Sequence, residues 1–208
     1  SAIEGSCIAN RERGSSVMSG FGQTLTLPPL DPLRIFEAAN EAHVALRDEV
    51  IQTPLLNSIS ADSLTGANIF MKADTLQRSG SFKYRGASNA LRTLNLQQRC
   101  RGVVAVSSGN HAIAVSLAAS RAMVKAAVVM PSDAPATKIL LAKKVGARVV
   151  TYDRQNEDRE EIADRLVKSE GFSLIPPFDD ENVIAGAASG AIAAVRQLGA
   201  TVPDVALI

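Results

Sequence analysis

The chain has 208 residues, 46% of them hydrophobic, so it can build the core of one large or two small domains. Its 22 basic and 21 acidic residues nearly balance and form no basic block, so nucleic acid is not an expected partner. No apolar run approaches the ~20 residues of a membrane span, and the distant cysteines Cys7 and Cys100 indicate a reducing, cytoplasmic compartment.

Residues 1–30 differ in composition from the rest of the chain. They contain many glycines and serines, show no sustained periodicity and lack the apolar core of a secretory signal. We therefore predict a mobile N-terminal lead-in, with a native start near Met18.

Residues 31–101 contain the first predicted elements. Asp31-Pro32 is typical of a helix start, because aspartate caps and proline fits the first turn, and the pattern predicts a helix to Val50. Thr53 is extended because it precedes proline. A short strand over Asn68–Lys72, a loop and a helix over Tyr84–Leu94 follow.

Beyond Arg101, strands and helices alternate. This order is typical of an α/β fold, in which right-handed crossovers form a parallel sheet covered by helices on both faces. Ligands in such folds bind at the carboxyl ends of the strands. The predicted strands cover 103–106, 126–130, 148–152, 172–175 and 205–208, and the predicted helices cover 110–121, 136–145, 158–169 and 182–198.

Lys83 has the most informative surroundings in the chain. It lies in Ser79–Ala87, among small residues and one aromatic, just before a helical pattern. Close packing there would desolvate the amine and lower its pKa, and a neutral amine is the nucleophile of a Schiff-base lysine. A single lysine is more often a solvated surface charge. The second segment, described next, favours the catalytic interpretation.

The segment Ser107-Ser108-Gly109-Asn110-His111 follows a predicted strand and begins the next helix. Unpaired backbone N–H groups and the helix dipole make such a position suited to a small anion, such as a carboxylate. The alternative is an ordinary cap built from serine and asparagine. His111 either faces the pocket or simply occupies the first turn, and we slightly favour the second interpretation.

Other motifs are absent or ambiguous. No G-x-G-x-x-G follows a strand, and no P-loop or H-E-x-x-H occurs. With two histidines and no clustered cysteines, no metal site is predicted. The small residues of 186–190 are either a phosphate loop or, as we favour, a surface that packs a helix on a sheet.

The two segments together resemble the signature motifs of the fold-type II pyridoxal-phosphate enzymes, specifically the serine/threonine dehydratase and serine racemase family. Thr53-Pro54-Leu55 and Val183-Ile184-Ala185-Gly186 match further landmarks of that family. The resemblance implies a tryptophan synthase β-like fold with two α/β domains. Residues 31–101 and 180–208 would form the larger cofactor domain, incomplete at its C-terminal end, and 102–179 the smaller one.

The resemblance also implies roles for individual residues. Lys83 would hold pyridoxal 5′-phosphate through its amine and move the Cα proton. Phe82 would pack near the cofactor ring, and Asn110 would donate a hydrogen bond to its 3-oxygen. The substrate carboxylate would be surrounded by Ser107, Ser108, Gly109, Asn110 and His111. In the racemases of this family, the serine matching Ser108 serves the opposite face of Cα.

Three departures from the family pattern matter. Ile113 and Ala187-Ala188-Ser189 stand where the family usually has glutamine and Gln-Gly-Thr. The chain stops at Ile208, before the family's glycine-rich phosphate loop, so it resembles the N-terminal two-thirds of such an enzyme. Either a fragment or a short gene product would fit this sequence.

The resemblance predicts a lyase that converts threonine, serine, hydroxyaspartate or a similar β-hydroxy amino acid into a keto acid and ammonia. The alternative within the family is an amino-acid racemase. An alternative of another class is a catalytically silent binding or interaction module, because the phosphate loop is missing. A small amino-acid substrate and a homodimer are expected, without nucleic acid or membrane partners.

Overall fold

A computed structural model describes residues 16–19, 23–26 and 31–207. Strands β1 (Ser16–Ser19) and β2 (Gln23–Thr26) pair as an antiparallel hairpin, which the sequence analysis did not predict. The rest of the predicted lead-in lies outside the described residues.

Helix α1 (Pro32–Ala45) begins where the sequence predicts. The Asp31 side chain caps it by accepting a hydrogen bond from the Leu33 N–H at 3.0 Å. The predicted end at Val50 is wrong, because the chain leaves the helix after Ala45. Downstream of this point, the Glu49 carboxylate accepts a hydrogen bond from the Arg121 guanidinium at 2.8 Å, and this contact ties the turn to another helix.

A second antiparallel pair follows. Strands β3 (Leu55–Asn57) and β4 (Phe70–Lys72) pair with each other, with the short helix α2 (Ile59–Thr65) between them. The strand predicted over Asn68–Lys72 is therefore present in a shorter form. A single 3₁₀ turn, Asp74–Leu76, leads towards the Lys83 segment.

The remaining elements alternate as predicted and include one parallel sheet. These elements are α3 (Lys83–Thr93), α4 (Leu96–Arg101), β5 (Val103–Val106), α5 (Asn110–Arg121), β6 (Ala126–Pro131), α6 (Ala136–Lys144), β7 (Arg148–Tyr152), α7 (Arg159–Glu170), β8 (Ser173–Leu174) and α8 (Glu181–Leu198). The four strands of the sheet lie in the order β7-β6-β5-β8, all parallel to their neighbours. Helix α4 was not predicted; an Asn95/Gln98 capping box begins it.

Both faces of this sheet are buried. Side chains alternate along β5, so Val103 and Ala105 join a cluster with α5, whereas Val104 joins a second cluster with Ile162 and Ala163 of α7. This arrangement confirms the prediction of a parallel sheet covered by helices on both faces.

The strand predicted over Val205–Ile208 is wrong within the described residues. Residues 205–207 have no regular structure, and Val205 and Leu207 are exposed. A strand needs a neighbouring ladder, and no described strand lies beside this segment. Ile208 lies outside the described residues. None of the helices in the described part of the chain has the length and apolar character needed to cross a membrane.

Helices α3 and α8 cross at two glycines. A Cβ atom added to Gly86 would lie 2.8 Å from the Val183 carbonyl oxygen, and one added to Gly186 would lie 2.5 Å from the Arg85 carbonyl oxygen. The small residues of 186–190 therefore lie within α8 and pack a helix against a helix, not against a sheet as predicted.

Gly186→Ala should destabilise the protein by about 1–3 kcal/mol, because its new methyl group would overlap backbone atoms that have no room to move. This loss should exceed the ~1 kcal/mol by which alanine is usually favoured over glycine inside a helix. Denaturant unfolding measures the effect, and Ala191→Ser, at an exposed position of the same helix, serves as the control. A stabilised Gly186→Ala protein would mean that the two helices are further apart than described.

Candidate active site

Lys83 is the first residue of α3, and its amine is half-buried. The amine donates a hydrogen bond to the Pro177 carbonyl oxygen at 2.6 Å and lies 5.2 Å from the centre of the Phe82 ring. Desolvation by the surrounding protein lowers the pKa of Lys83 below its ordinary value. A larger fraction of this amine is therefore neutral near pH 7 than for an exposed lysine, as a nucleophile requires.

A buried ion pair fixes the first turn of α3. The Arg85 guanidinium, with 2% of its side chain exposed, donates to both oxygens of Asp74, at 2.7 and 3.0 Å. The Thr53 hydroxyl donates to the same carboxylate at 2.6 Å. Because Arg85 follows Lys83 within the same turn, this network holds the helix start that presents the Lys83 amine.

The second predicted segment lies between the carboxyl end of β5 and the start of α5. Gly109 occupies the N-cap position, and no side chain caps this helix. The Ser107 hydroxyl instead accepts a hydrogen bond from the Gly109 N–H at 3.1 Å. The segment is therefore not an ordinary serine or asparagine cap. The space where a Gly109 Cβ would lie is open to 4 Å, so a ligand can approach this helix start.

His111 is buried, with 3% of its surface exposed, in the first turn of α5. Its Nε2 lies 2.9 Å from the Ile175 carbonyl oxygen. A carbonyl only accepts, so Nε2 carries the proton, and Nδ1 is a buried acceptor without a partner among the described residues. Burial, with a smaller contribution from the Lys83 charge, lowers the pKa of His111 and favours this neutral form.

The two predicted motifs meet at the segment that follows β8. Lys83 donates to the carbonyl of Pro177, and His111 donates to the carbonyl of Ile175. The predicted lysine and the start of α5 therefore share one short stretch of backbone. The sequence analysis did not find Ile175 and Pro177, because a backbone carbonyl carries no side-chain signal.

The other predicted residues lie in more open positions. Ser108 and Asn110 are exposed, and Ser108 makes no side-chain hydrogen bond within the described part of the chain. The Asn110 amide oxygen accepts a hydrogen bond from Lys138 Nζ at 2.9 Å, a contact that the sequence analysis did not predict. Ile113, which replaces the family's usual glutamine, is buried in the core instead of facing this site.

Comparisons with known proteins give one family for most of the chain. Residues 46–208 match the family model described as pyridoxal-phosphate dependent enzyme. The chain is 49% identical over 140 residues to an L-threo-3-hydroxyaspartate ammonia-lyase of Pseudomonas sp., covering 67% of this chain and 44% of that relative. It is 40% identical over 148 residues to a serine racemase of Schizosaccharomyces pombe, covering 71% and 46% of the two chains.

A solved structure also matches most of the chain. The crystal structure of a T.th. threonine deaminase matches with a TM-score of 0.72 and 41% identity, covering 78% of this chain and 51% of that one. The chain spans about half the length of the curated relatives that it matches.

Proposed function

The chain belongs to the pyridoxal-phosphate dependent enzymes, and from this membership we propose that the complete protein is an ammonia-lyase that acts on β-hydroxy amino acids. Threonine, serine and hydroxyaspartate are the proposed substrates, and the products are a keto acid and ammonia. The observation that carries the proposal is the position of the half-buried Lys83 amine. This amine and the uncapped start of α5 both contact one short backbone segment: Lys83 contacts the Pro177 carbonyl, and His111 of α5 contacts the Ile175 carbonyl. Relatives named ammonia-lyase or dehydratase support it.

The described residues fit pyridoxal 5′-phosphate. A desolvated lysine suits its aldehyde, and the Phe82 side chain, 49% exposed beside that lysine, offers an apolar face for the ring. Three buried side-chain atoms have no hydrogen-bond partner among the described residues, and two of them, Ser81 Oγ and His111 Nδ1, lie in the same two motifs; the third is Ser88 Oγ. Buried polar groups are normally satisfied, so these atoms are consistent with a polar ligand in this region. We propose Phe82, Lys83 and Asn110 as the cofactor-binding residues.

When bound, the cofactor supplies an electron sink for negative charge at the substrate Cα. We propose that Lys83 holds the cofactor through Nζ and, once released, removes the Cα proton with its neutral amine. The Pro177 carbonyl, which accepts a hydrogen bond from Nζ, would keep the released amine within the site. The substrate then loses its β-hydroxyl as water, which is regained when hydrolysis releases ammonia and the keto acid.

The start of α5 is the proposed site for the substrate carboxylate. Its first backbone N–H groups are not capped by a side chain, and the helix dipole favours a negative charge there. Ser107, Ser108, Gly109, Asn110 and His111 are the proposed substrate-binding residues. Gly109 leaves the approach open, whereas a larger residue would narrow it.

Racemisation is the second candidate function. It is supported by the serine racemases among the relatives and by the exposed Ser108 hydroxyl, which is free to act as a second acid or base. Incubation of the complete protein with L-threonine, L-serine or L-threo-3-hydroxyaspartate separates the two functions. Keto acid and ammonia as the main products support the lyase, whereas a D-amino acid as the main product supports the racemase. Neither product from any β-hydroxy amino acid would refute both.

Ser108→Ala should abolish any racemisation and leave elimination within about tenfold of wild type. Two-base racemisation needs an acid or base on each face of Cα, whereas elimination requires proton removal from one face only, and the same proton can leave with the β-hydroxyl as water. Chiral analysis of the residual amino acid, together with a keto-acid assay, measures both rates in one sample. Ser120→Ala is the control, because it removes an exposed hydroxyl near the other end of α5 and should change neither rate. Equal loss of both rates in Ser108→Ala would assign Ser108 to binding.

The organisation of the complete protein is also part of this proposal. We propose a small domain over 102–179 and a larger cofactor domain that includes 31–101 and 180–208. Support comes from the parallel sheet, which lies wholly within the first range, and from the packing of α8 on α1 and α3. We also propose a homodimer in the cytoplasm, where the exposed free thiol of Cys100 would stay reduced.

A further inference from the structure

We propose that Lys138 is a positioning residue that fixes which end of the Asn110 side-chain amide faces the cofactor. This inference rests on the proposed function, in which Asn110 donates to the cofactor ring. The observation that carries it is the hydrogen bond from Lys138 Nζ to Asn110 Oδ1 at 2.9 Å.

An asparagine amide presents an acceptor on one side and two N–H donors on the other. The two ends have nearly the same shape, so packing alone does not select one. An ammonium group can only donate, and it therefore selects the Asn110 oxygen. The amide nitrogen is then directed away from Lys138 with both N–H groups available, since it has no hydrogen-bond partner within the described ranges.

The position of Lys138 is poor for helix stability. It lies in the first turn of α6, where the helix dipole disfavours a positive charge, and that turn contains no acidic residue. No carboxylate of the described residues lies within ion-pair distance of Lys138. The described partner of its ammonium group is the Asn110 oxygen. Orientation of Asn110 accounts for a lysine at this position, whereas helix stability does not.

The contact also links two separate elements. Asn110 is the first residue of α5, and Lys138 belongs to α6, which packs against α5. Donor groups near the 3-oxygen of the cofactor stabilise its anionic form and lower the pH at which the visible absorption band changes. Without Lys138, the Asn110 amide can turn and present its oxygen, which would repel that anion.

The test is a comparison of cofactor spectra in the complete protein. Lys138→Met should raise the pH midpoint of the visible band and weaken pyridoxal 5′-phosphate binding about 3–10-fold, as expected for loss of one hydrogen bond. Lys138→Arg keeps a donor and should restore most of the wild-type spectrum. Lys143→Met, an exposed lysine of the same helix, should behave as wild type. The thermal midpoint of the apoprotein should not fall for Lys138→Met, because this variant removes an unfavourable charge from the first turn of α6.

A double-mutant cycle distinguishes positioning from direct contact. If Lys138 acts through Asn110, then Lys138→Met should change neither spectrum nor affinity in an Asn110→Ala background. An undiminished effect there would show that Lys138 contacts the cofactor itself and would overturn the inference. The inference would also be overturned if Asn110→Ala alone shifts the visible band but Lys138→Met alone leaves the spectrum as in the wild type. If the wild-type protein binds no cofactor at Lys83, that result refutes the proposed function itself, before the Lys138 variants are compared.

Discussion

Replacing Lys83 by alanine should reduce turnover of any β-hydroxy amino acid by at least about 10⁴-fold, the upper end of what one positioned acid–base group contributes. The expected loss is this large because, in the proposed function, the same amine is both the attachment point of the cofactor and the acceptor of the Cα proton. The variant should also lose the covalently bound, visible-absorbing cofactor. Borohydride reduction followed by peptide mass spectrometry should find the adduct on Lys83 in the wild type and nowhere in the variant.

The Lys83→Arg variant tests whether the site needs a reactive amine or only a positive charge. Arginine keeps a positive group near the Pro177 carbonyl but is not deprotonated in proteins, so it can neither attack an aldehyde nor remove a proton. We therefore expect it to be as inactive as Lys83→Ala. Lys144→Ala, at an exposed position on α6, should keep full activity. An adduct found on another lysine, or an active Lys83→Arg protein, would show that the catalytic lysine lies elsewhere.

The sequence predicted those elements whose signals are local. The Asp31-Pro32 start of α1, the strands β5 to β7 and the helices between them were found, because caps, apolar runs and alternation act over a few residues. Lys83 and the segment 107–111 were singled out by the same kind of local pattern, and their roles in a site stay predictions.

Features that depend on distant partners were missed or wrong. The strand predicted at Val205 fails because an apolar run becomes a strand only beside another strand. The early end of α1 is followed by a turn in which Glu49 accepts a hydrogen bond from the distant Arg121, and a local pattern does not reveal such a partner. Lys138 gave no sequence signal, because one lysine in a charged helix looks like any solvated charge. The role proposed for Lys138 rests on its position, where α5 and α6 bring it to Asn110.

The buried Arg85–Asp74 pair stabilises the start of the helix that presents Lys83. It joins the 3₁₀ turn to the helix that begins with Lys83, and both partners are largely removed from water. Breaking a buried pair leaves a charge that neither solvent nor protein compensates, which typically costs about 3–5 kcal/mol. We expect this loss of stability for Asp74→Asn, which preserves the shape of the side chain and removes its charge.

An exposed pair of the same kind provides the matched control. Arg154 and Asp133 are joined at 2.8 Å, against 2.7 Å for Arg85 and Asp74, but 49% and 66% of their side chains are exposed. Exposed pairs contribute about 0–1 kcal/mol, so Asp133→Asn should hardly change the free energy of unfolding. Denaturant unfolding of both variants at pH 7 measures the difference. Equal effects would mean that the Arg85 pair is open to solvent.

The pH dependence gives an independent test of the same pair. Burial acts to raise the pKa of Asp74, but the hydrogen bonds from Arg85 and Thr53 and the guanidinium charge together outweigh it, so the pKa lies below the ordinary value of 3.8. A carboxyl group whose pKa is lowered by folding stabilises the protein above its unfolded pKa, and this contribution is lost as the pH falls through the folded value. The stability difference between wild type and Asp74→Asn should therefore be constant from pH 7 to about 5. It should shrink as the pH falls below about 4, since the Asp74 carboxyl then takes up a proton in the unfolded state and, at still lower pH, in the folded state. A difference that stays constant down to pH 2 would show that loss of the Asp74 charge is not what destabilises the variant.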